Sequence, residues 1–198
     1  MKNTVTFAAF LAALPAVAED TRQLSAHEHG VGALNIAIDG AAVAMEFHAP
    51  GADIVGFEHA AETDKARAAI DAALALLQSP LALFVLPEAA GCSLISAHAE
   101  LEGDEHNSAH EEHEEHEEHE EHEEHEEHEE HHGDTAGHSE FHADYALTCA
   151  APDAITTITF AYFTAFPNAQ EVEVQILTTQ GARAIDVARD APVLALGR

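Results

Sequence analysis

The sequence predicts an α+β protein: a mainly antiparallel β-sheet with one principal helix and a long disordered His/Glu-rich loop inserted between two strands. Short runs in which apolar and polar residues alternate recur along the chain, and this alternation is typical of half-buried strands. Residues 62–78 instead keep the apolar spacing of an α-helix. Residues 104–137 hold almost no apolar side chain that could pack on a core, which predicts the loop.

Residues 1–18 have the features of a secretory signal peptide. Lys2 supplies the positive start, an apolar run follows, and Ala16-Val17-Ala18 forms a small-residue cleavage site. The apolar run is too short to span a bilayer, and no other stretch approaches about twenty apolar residues. We therefore expect an exported, periplasmic protein without membrane insertion, whose mature chain, residues 19–198, forms a single domain.

The clearest hairpin is predicted near the start of the mature chain. Leu34, Ile36 and Ile38 alternate with small or polar residues, and Asp39-Gly40 is a preferred two-residue turn. This turn would pair Ile38 with Ala41, and the apolar residues of both strands would share one face. His48 falls on the other face, where we interpret it as a solvated strand residue.

The principal helix and the remaining strands follow in order. Ala66, Ile70, Ala73, Leu74 and Leu77 keep a helical spacing, and Ser79-Pro80 ends the helix. Strand-like runs are then predicted at residues 81–86, 92–101, 141–149, 155–163, 171–177 and 183–187.

Two cysteines, Cys92 and Cys149, flank the predicted loop. Export would place them in an oxidising compartment, which favours an intramolecular disulfide over zinc thiolates or free thiols. If the strands that flank the loop pair with each other, they form a very long hairpin, and a disulfide would link its two strands. Strict alternation, however, puts Cys92 on the face of His98 and Cys149 on the face opposite His142. Either a bulge intervenes, or the two histidines do not share a site.

The charge of the chain narrows the classes of partner. Its 37 acidic residues face only 7 Lys and Arg, for a formal net charge of −30. Such a chain is repelled by nucleic acid and by anionic membrane surfaces, and it attracts cations.

A His/Glu tract at residues 110–131 repeats His-Glu-Glu with a period of three, so that eight histidines alternate with fourteen glutamates. Imidazole is the commonest protein ligand for zinc, and short His-rich tracts are a metal-binding composition. A purely solubilising run has no need of His at every third position. HEEHH at residues 128–132 matches the zinc-protease pattern, but we interpret it as a chance product of the repeat. The candidate ligands of this region are His106, His110, His113, His116, His119, His122, His125, His128, His131 and His132.

A second group of candidate ligands follows in HSEFHADYALTC, residues 138–149. As a strand, this segment would place His138, Glu140, His142 and Asp144 on one face, with Phe141 on the other. Same-face neighbours lie about 6 to 7 Å apart, which two inward-leaning side chains can bridge to one ion. We expect the tightest site here, with a third ligand from His27, His29 or His59, and we expect the tract to add capacity.

Five segments carry a family resemblance: HEHGVGALNIAIDG at residues 27–40, IVGFEHA at 54–60, LFVLPEAAGCSL at 83–94, HSEFHADYALTC at 138–149 and FPNAQEVEVQ at 166–175. The chain resembles the exported, zinc-regulated accessory proteins of bacterial zinc uptake, the ZrgA type. The resemblance implies a periplasmic protein that binds Zn²⁺ and assists a zinc ABC importer, or its solute-binding protein, when zinc is scarce.

Two other functions remain open from the residues. One is a general buffer or store for nickel, copper and zinc without a transporter partner, because imidazole also suits those metals. The other is a zinc-dependent hydrolase, which would need a rigid three-ligand site with an open position and a general base. No helix-borne motif supports a hydrolase, so we expect no enzyme.

Overall fold

The computed structural model describes residues 28–103 and 138–197, and within these segments it contains nine strands, four α-helices and two short 3₁₀ helices, Glu88–Ala90 and Pro152–Ala154. The strands are β1 (Val31–Asp39), β2 (Ala42–Pro50), β3 (Phe84–Val85), β4 (Cys92–Gly103), β5 (Ser139–Cys149), β6 (Thr157–Phe160), β7 (Glu171–Thr178), β8 (Gly181–Ala188) and β9 (Val193–Ala195). The helices are α1 (Gly51–Ile54), α2 (Asp64–Leu77), α3 (Pro80–Leu83) and α4 (Tyr162–Ala165). The predicted signal peptide and the His/Glu tract lie outside the described residues.

The strands form two sheets. One has six strands in the order β4-β5-β2-β1-β7-β8, and the other has three in the order β3-β6-β9. Neighbouring strands are antiparallel except β1 and β7, which are parallel. The predicted α+β class with mainly β-structure is therefore confirmed, and the larger sheet is mixed. Parallel neighbours need a long crossover, which residues 40–170 supply, and local alternation does not reveal it.

The hydrophobic core lies between the apolar face of the larger sheet and the smaller sheet. Phe47 of β2 is fully buried, with its ring 5.6 Å from that of Phe84 on β3 and 5.1 Å from that of Tyr162. The ring centroids of Phe84 and Phe160 of β6 are 5.5 Å apart. Burying an aromatic side chain of this size contributes about 1.5–3 kcal/mol. The opposite face of the larger sheet therefore faces away from the core.

The first hairpin forms, but with a shifted register. Its turn is Gly40-Ala41, and Asp39 pairs with Ala42, so that Ile38 faces Val43 rather than Ala41. Gly40 takes a positive φ of 55°, a backbone conformation that favours glycine. The two registers differ by two residues and keep the same faces buried, so burial in the hairpin does not choose between them.

Helix α2 confirms the predicted principal helix within one or two residues. The Thr63 side chain caps its first turn by accepting a hydrogen bond from the Ala66 amide. Two runs predicted as strands are partly helical: Pro80–Leu83 lies in the run at 81–86 and Tyr162–Ala165 at the end of 155–163. Short apolar runs do not distinguish a strand from a buried helical turn, and Pro80 suits a first helical position.

Strands β4 and β5 pair along their length, so residues 104–137 connect two paired strands. The predicted disulfide between Cys92 and Cys149 is confirmed. These cysteines face each other at the base of the stem. For a sequence separation of 57 residues, chain-entropy reasoning assigns such a link roughly 4 kcal/mol.

A β-bulge resolves the conflict between the cysteine and histidine faces. The register of β4 against β5 shifts between Leu94 and Ser96, which leaves Ile95 as an extra residue. Beyond it, His98 faces Asp144 and Glu100 faces His142. His98 therefore shares a sheet face with His142, while Cys92 and Cys149 remain on the core side.

No helix among residues 28–103 and 138–197 is long and apolar enough to cross a membrane.

Gly51 joins three segments where β2 ends. A Cβ at this position would collide with Oγ of Ser139 and would lie 2.7 Å from the carbonyl oxygen of Phe57. The end of β2, the start of β5 and the segment after α1 therefore approach so closely that only glycine fits between them.

Gly51→Ala should destabilise the fold by about 1–3 kcal/mol, the usual cost of forcing an extra carbon into a packed site. Urea unfolding measures this change. Gly103→Ala is the matched control, because its added Cβ would meet no atom of the described residues within 4 Å. Equal stability of the two variants would contradict the close approach at Gly51.

Candidate metal centre

The face of the larger sheet that points away from the core presents polar residues in rows. Directly paired residues point to the same side, so one row can be followed from β8 to β4. Its members are Asp186, Glu173, Ala33, His48, His142 and Glu100. The β2, β5 and β4 end of this face thus combines imidazoles with carboxylates.

Three side chains at this end converge: His48, Glu140 and His142. Each offers one ligand atom, and these atoms all lie within 4.8 Å of one another. His48 on β2 faces His142 on β5, with ring centroids 4.3 Å apart at 77°. Glu140 precedes His142 by two residues on the same face, and its Oε2 lies 2.8 Å from Nε2 of His142. Sheet pairing and strand alternation together create the cluster.

The cluster is partly shielded from solvent. The side chains of Glu140, His142 and His48 are 17%, 20% and 27% exposed. Nε2 of His142 is inaccessible to solvent and has no hydrogen-bond partner within the described segments, although the Glu140 oxygen is close. An ion bound between these two atoms would satisfy both. Ligands about 2.0–2.2 Å from a tetrahedral zinc ion are themselves separated by roughly 3.3 Å, which small side-chain movements would reach.

Two further carboxylates surround the cluster. Oε1 of Glu46 lies 3.3 Å from Nε2 of His48, and Oε2 of Glu102 lies 3.5 Å from Nε2 of His142. The hydrogen bond from Asn35, together with the nearby histidines, holds the pKa of Glu46 below its usual value despite partial burial. Glu46 is therefore ionised at neutral pH, and the surroundings of the cluster attract cations.

His48 is the residue that sequence reasoning missed. It packs on the ring of His142, and its ligand atom lies within 4.8 Å of those of Glu140 and His142, so it is not simply a solvated strand residue. Its position on the polar face was predicted from alternation. Its partner depends on β2 lying beside β5, and those strands are nearly a hundred residues apart in sequence.

The other predicted ligands lie in different surroundings. The alternation in residues 138–149 is confirmed, and Asp144 shares the face of His142 but is exposed opposite Glu46 and His98. His138 does not join His142: its Nδ1 lies 3.1 Å from Oε2 of Glu58.

His29 and His59 are also separate from the cluster. Nε2 of His29 lies 3.2 Å from Oε1 of Glu58. His59 is exposed, stacks on Phe57 at 4.8 Å and has its Nδ1 2.9 Å from the carbonyl oxygen of Ala60. His27 and the ten candidate ligands between His106 and His132 lie outside the described residues.

A family model described as "ZrgA family zinc uptake protein" matches residues 26–196, a span that contains the whole cluster. The chain belongs to the ZrgA family. No curated protein matches it. Membership confirms the resemblance and gives the chain a role in zinc uptake. For a ZrgA protein, two imidazoles and a carboxylate form a chemically suitable set, because zinc accepts nitrogen and oxygen ligands of these types.

His142→Ala should weaken the tightest zinc binding of the full chain by at least about tenfold, since loss of an outer-shell partner alone typically costs 10–100-fold. Competition with a chromogenic chelator at substoichiometric zinc measures this affinity. His98→Ala is the control, because His98 is exposed on the same face and lies outside the cluster. Wild-type affinity in the His142→Ala variant would exclude the cluster as the tight site.

Proposed function

We propose that this protein captures zinc in the periplasm and assists a zinc ABC importer, or its solute-binding protein, when zinc is scarce. The observation that supports this function best is the convergence of His48, Glu140 and His142 in a chain of the ZrgA family. The tightest zinc ion binds at this cluster. The disulfide between Cys92 and Cys149 is in keeping with an exported protein.

The number of ligands suits capture followed by release. Structural zinc sites are usually closed by four protein ligands, whereas three ligands leave one position for water or another molecule. At this cluster, His48, Glu140 and His142 supply three ligands on a sheet face that points away from the core. A ligand from the receiving protein can enter the fourth position and draw the ion away.

The His/Glu tract adds capacity in this proposal. Residues 104–109 and 132–138 connect it to β4 and β5, where Glu102 pairs with Glu140 and Gly103 with Ser139 beside the cluster. Ligands tethered this close raise the local concentration of metal available to the cluster. The folded ligands keep the higher affinity, because their chain entropy is already lost on folding.

Zinc affinity should fall as the pH is lowered from 7 to 5, because zinc requires neutral imidazole and protons compete for it. For a histidine of ordinary pKa near 6.5, proton competition costs roughly 25-fold over this range for one ligand and several hundredfold for two. Competition titrations at several pH values test this, and His142→Ala should show the shallower dependence. A flat profile would mean that carboxylates alone bind the ion.

The function is tested most directly in the cell. A strain lacking this gene should grow poorly under zinc starvation, and the wild-type gene should restore growth. The gene with His48→Ala and His142→Ala should not restore it, whereas the His98→Ala control should. Accumulation of nickel or copper rather than zinc during growth with competing metals would instead favour a general metal buffer.

A further inference from the structure

Glu58 holds two imidazoles that come from distant parts of the chain. It lies after α1, and its side chain is 12% exposed. Its Oε1 lies 3.2 Å from Nε2 of His29, just before β1, and its Oε2 lies 3.1 Å from Nδ1 of His138, just before β5. The sequence separation between Glu58 and His138 is 80 residues, so tertiary packing alone brings them together.

The electrostatics around Glu58 favour a bound cation. Partial burial raises the pKa of Glu58, but the hydrogen bonds with His138 and His29 outweigh it and leave the pKa below its usual value. Glu58 is therefore ionised at neutral pH.

Asp53, a buried carboxylate, lies beside the group formed by His29, Glu58 and His138. Asp53 is 2% exposed, and its Oδ1 accepts a hydrogen bond of 2.7 Å from the Gly30 amide, next to His29. Its Oδ2 is buried and accepts no hydrogen bond from the residues that the structure describes. Burial raises the pKa of Asp53, His29 lowers it and Glu58 raises it, so these three groups influence one another electrostatically. Glu58 and Asp53 therefore place two carboxyl groups in one region beside His29.

We propose that His29, Glu58 and His138 form a second binding site for a divalent metal ion of the zinc type. The two imidazoles lie 3.2 and 3.1 Å from different oxygens of Glu58, so they must turn to share one ion with this carboxylate. The two imidazoles are well exposed and can turn toward a common ion, whereas Glu58 is held in place. Asp53 is a positioning residue, because its bond to Gly30 orients the chain beside His29.

This site is separate from the cluster of His48, Glu140 and His142. Residues four apart along a strand are about 13 Å apart, so His138 and His142 cannot share an ion without disrupting β5. An ion at Glu58 would link the segment before β1, the segment after α1 and the start of β5. The inference deepens the proposed zinc function, and the following experiment reads the two sites independently.

Residue-resolved chemical modification of the full mature chain tests the second site. Diethyl pyrocarbonate acylates free imidazoles, and mass spectrometry reports the rate for each histidine. A metal-bound imidazole does not react, because one nitrogen holds the ion and the other carries hydrogen. When free zinc is ten times its Kd, modification of His29 and His138 should slow about tenfold. Exposed His59 should be unchanged.

Glu58→Gln supplies the decisive variant, because it keeps the size of the side chain and removes its charge. Zinc should no longer protect His29 and His138, but it should still protect His48, the most exposed side chain of the cluster, which also shows that the fold is intact. Glu62→Gln, an exposed glutamate in the same segment, is the matched control and should behave as wild type. In a His138→Ala variant, the protection of His29 should also be lost.

Two results would overturn the second site: equal modification of His29 and His138 with and without zinc, or protection that survives Glu58→Gln. A lack of zinc protection at His48 alone would instead contradict the proposed zinc site of the cluster. Because the two groups of histidines are read in the same sample, one failure is distinguishable from the other.

Discussion

The pairing of β2 with β5 is the constraint on which the candidate metal centre depends. This antiparallel ladder places His48 directly opposite His142, and strand alternation then brings Glu140 to the same face. The same ladder buries Phe47 against the smaller sheet. The free energy that stabilises the core therefore also holds the ligands in place. A site built on paired central strands needs little further ordering when an ion binds, which raises affinity.

The edge strand β4 presents functional side chains on both faces of the sheet. At its N-terminal end, Cys92 points toward Cys149 on the core side of the sheet. At its C-terminal end, Glu100 and Glu102 lie beside the cluster on the opposite face. The extra residue Ile95 makes both possible, because a bulge reverses the facing of every residue beyond it. A covalent restraint, the disulfide, acts at one end of the β4–β5 pair, and a steric restraint, the close approach around Gly51, acts at the other end near Glu140.

The cluster on β2 and β5 and the group around Glu58, the two candidate metal sites, differ in electrostatics and in solvent exposure. At the cluster on β2 and β5, Glu46 attracts cations, because the hydrogen bond from Asn35 keeps the pKa of this carboxylate below its usual value. At Glu58, burial opposes the charge of the carboxylate and two histidines restore it. The two groups differ in exposure: the three side chains of the cluster are partly buried, whereas His29 and His138 are exposed beside a largely buried Glu58.

The sequence by itself determined the strand faces, the principal helix, the two cysteines that form the disulfide and a composition rich in potential zinc ligands. These depend on local periods and composition, and they hold whichever strands become neighbours. The polar face of residues 138–149 was predictable from alternation with Phe141. Only the tertiary structure decided that β1 lies parallel to β7, that His48 meets His142 and that His138 joins Glu58 instead. Strand order is chosen by packing of the whole core, because alternation is compatible with many neighbours and specifies none of them.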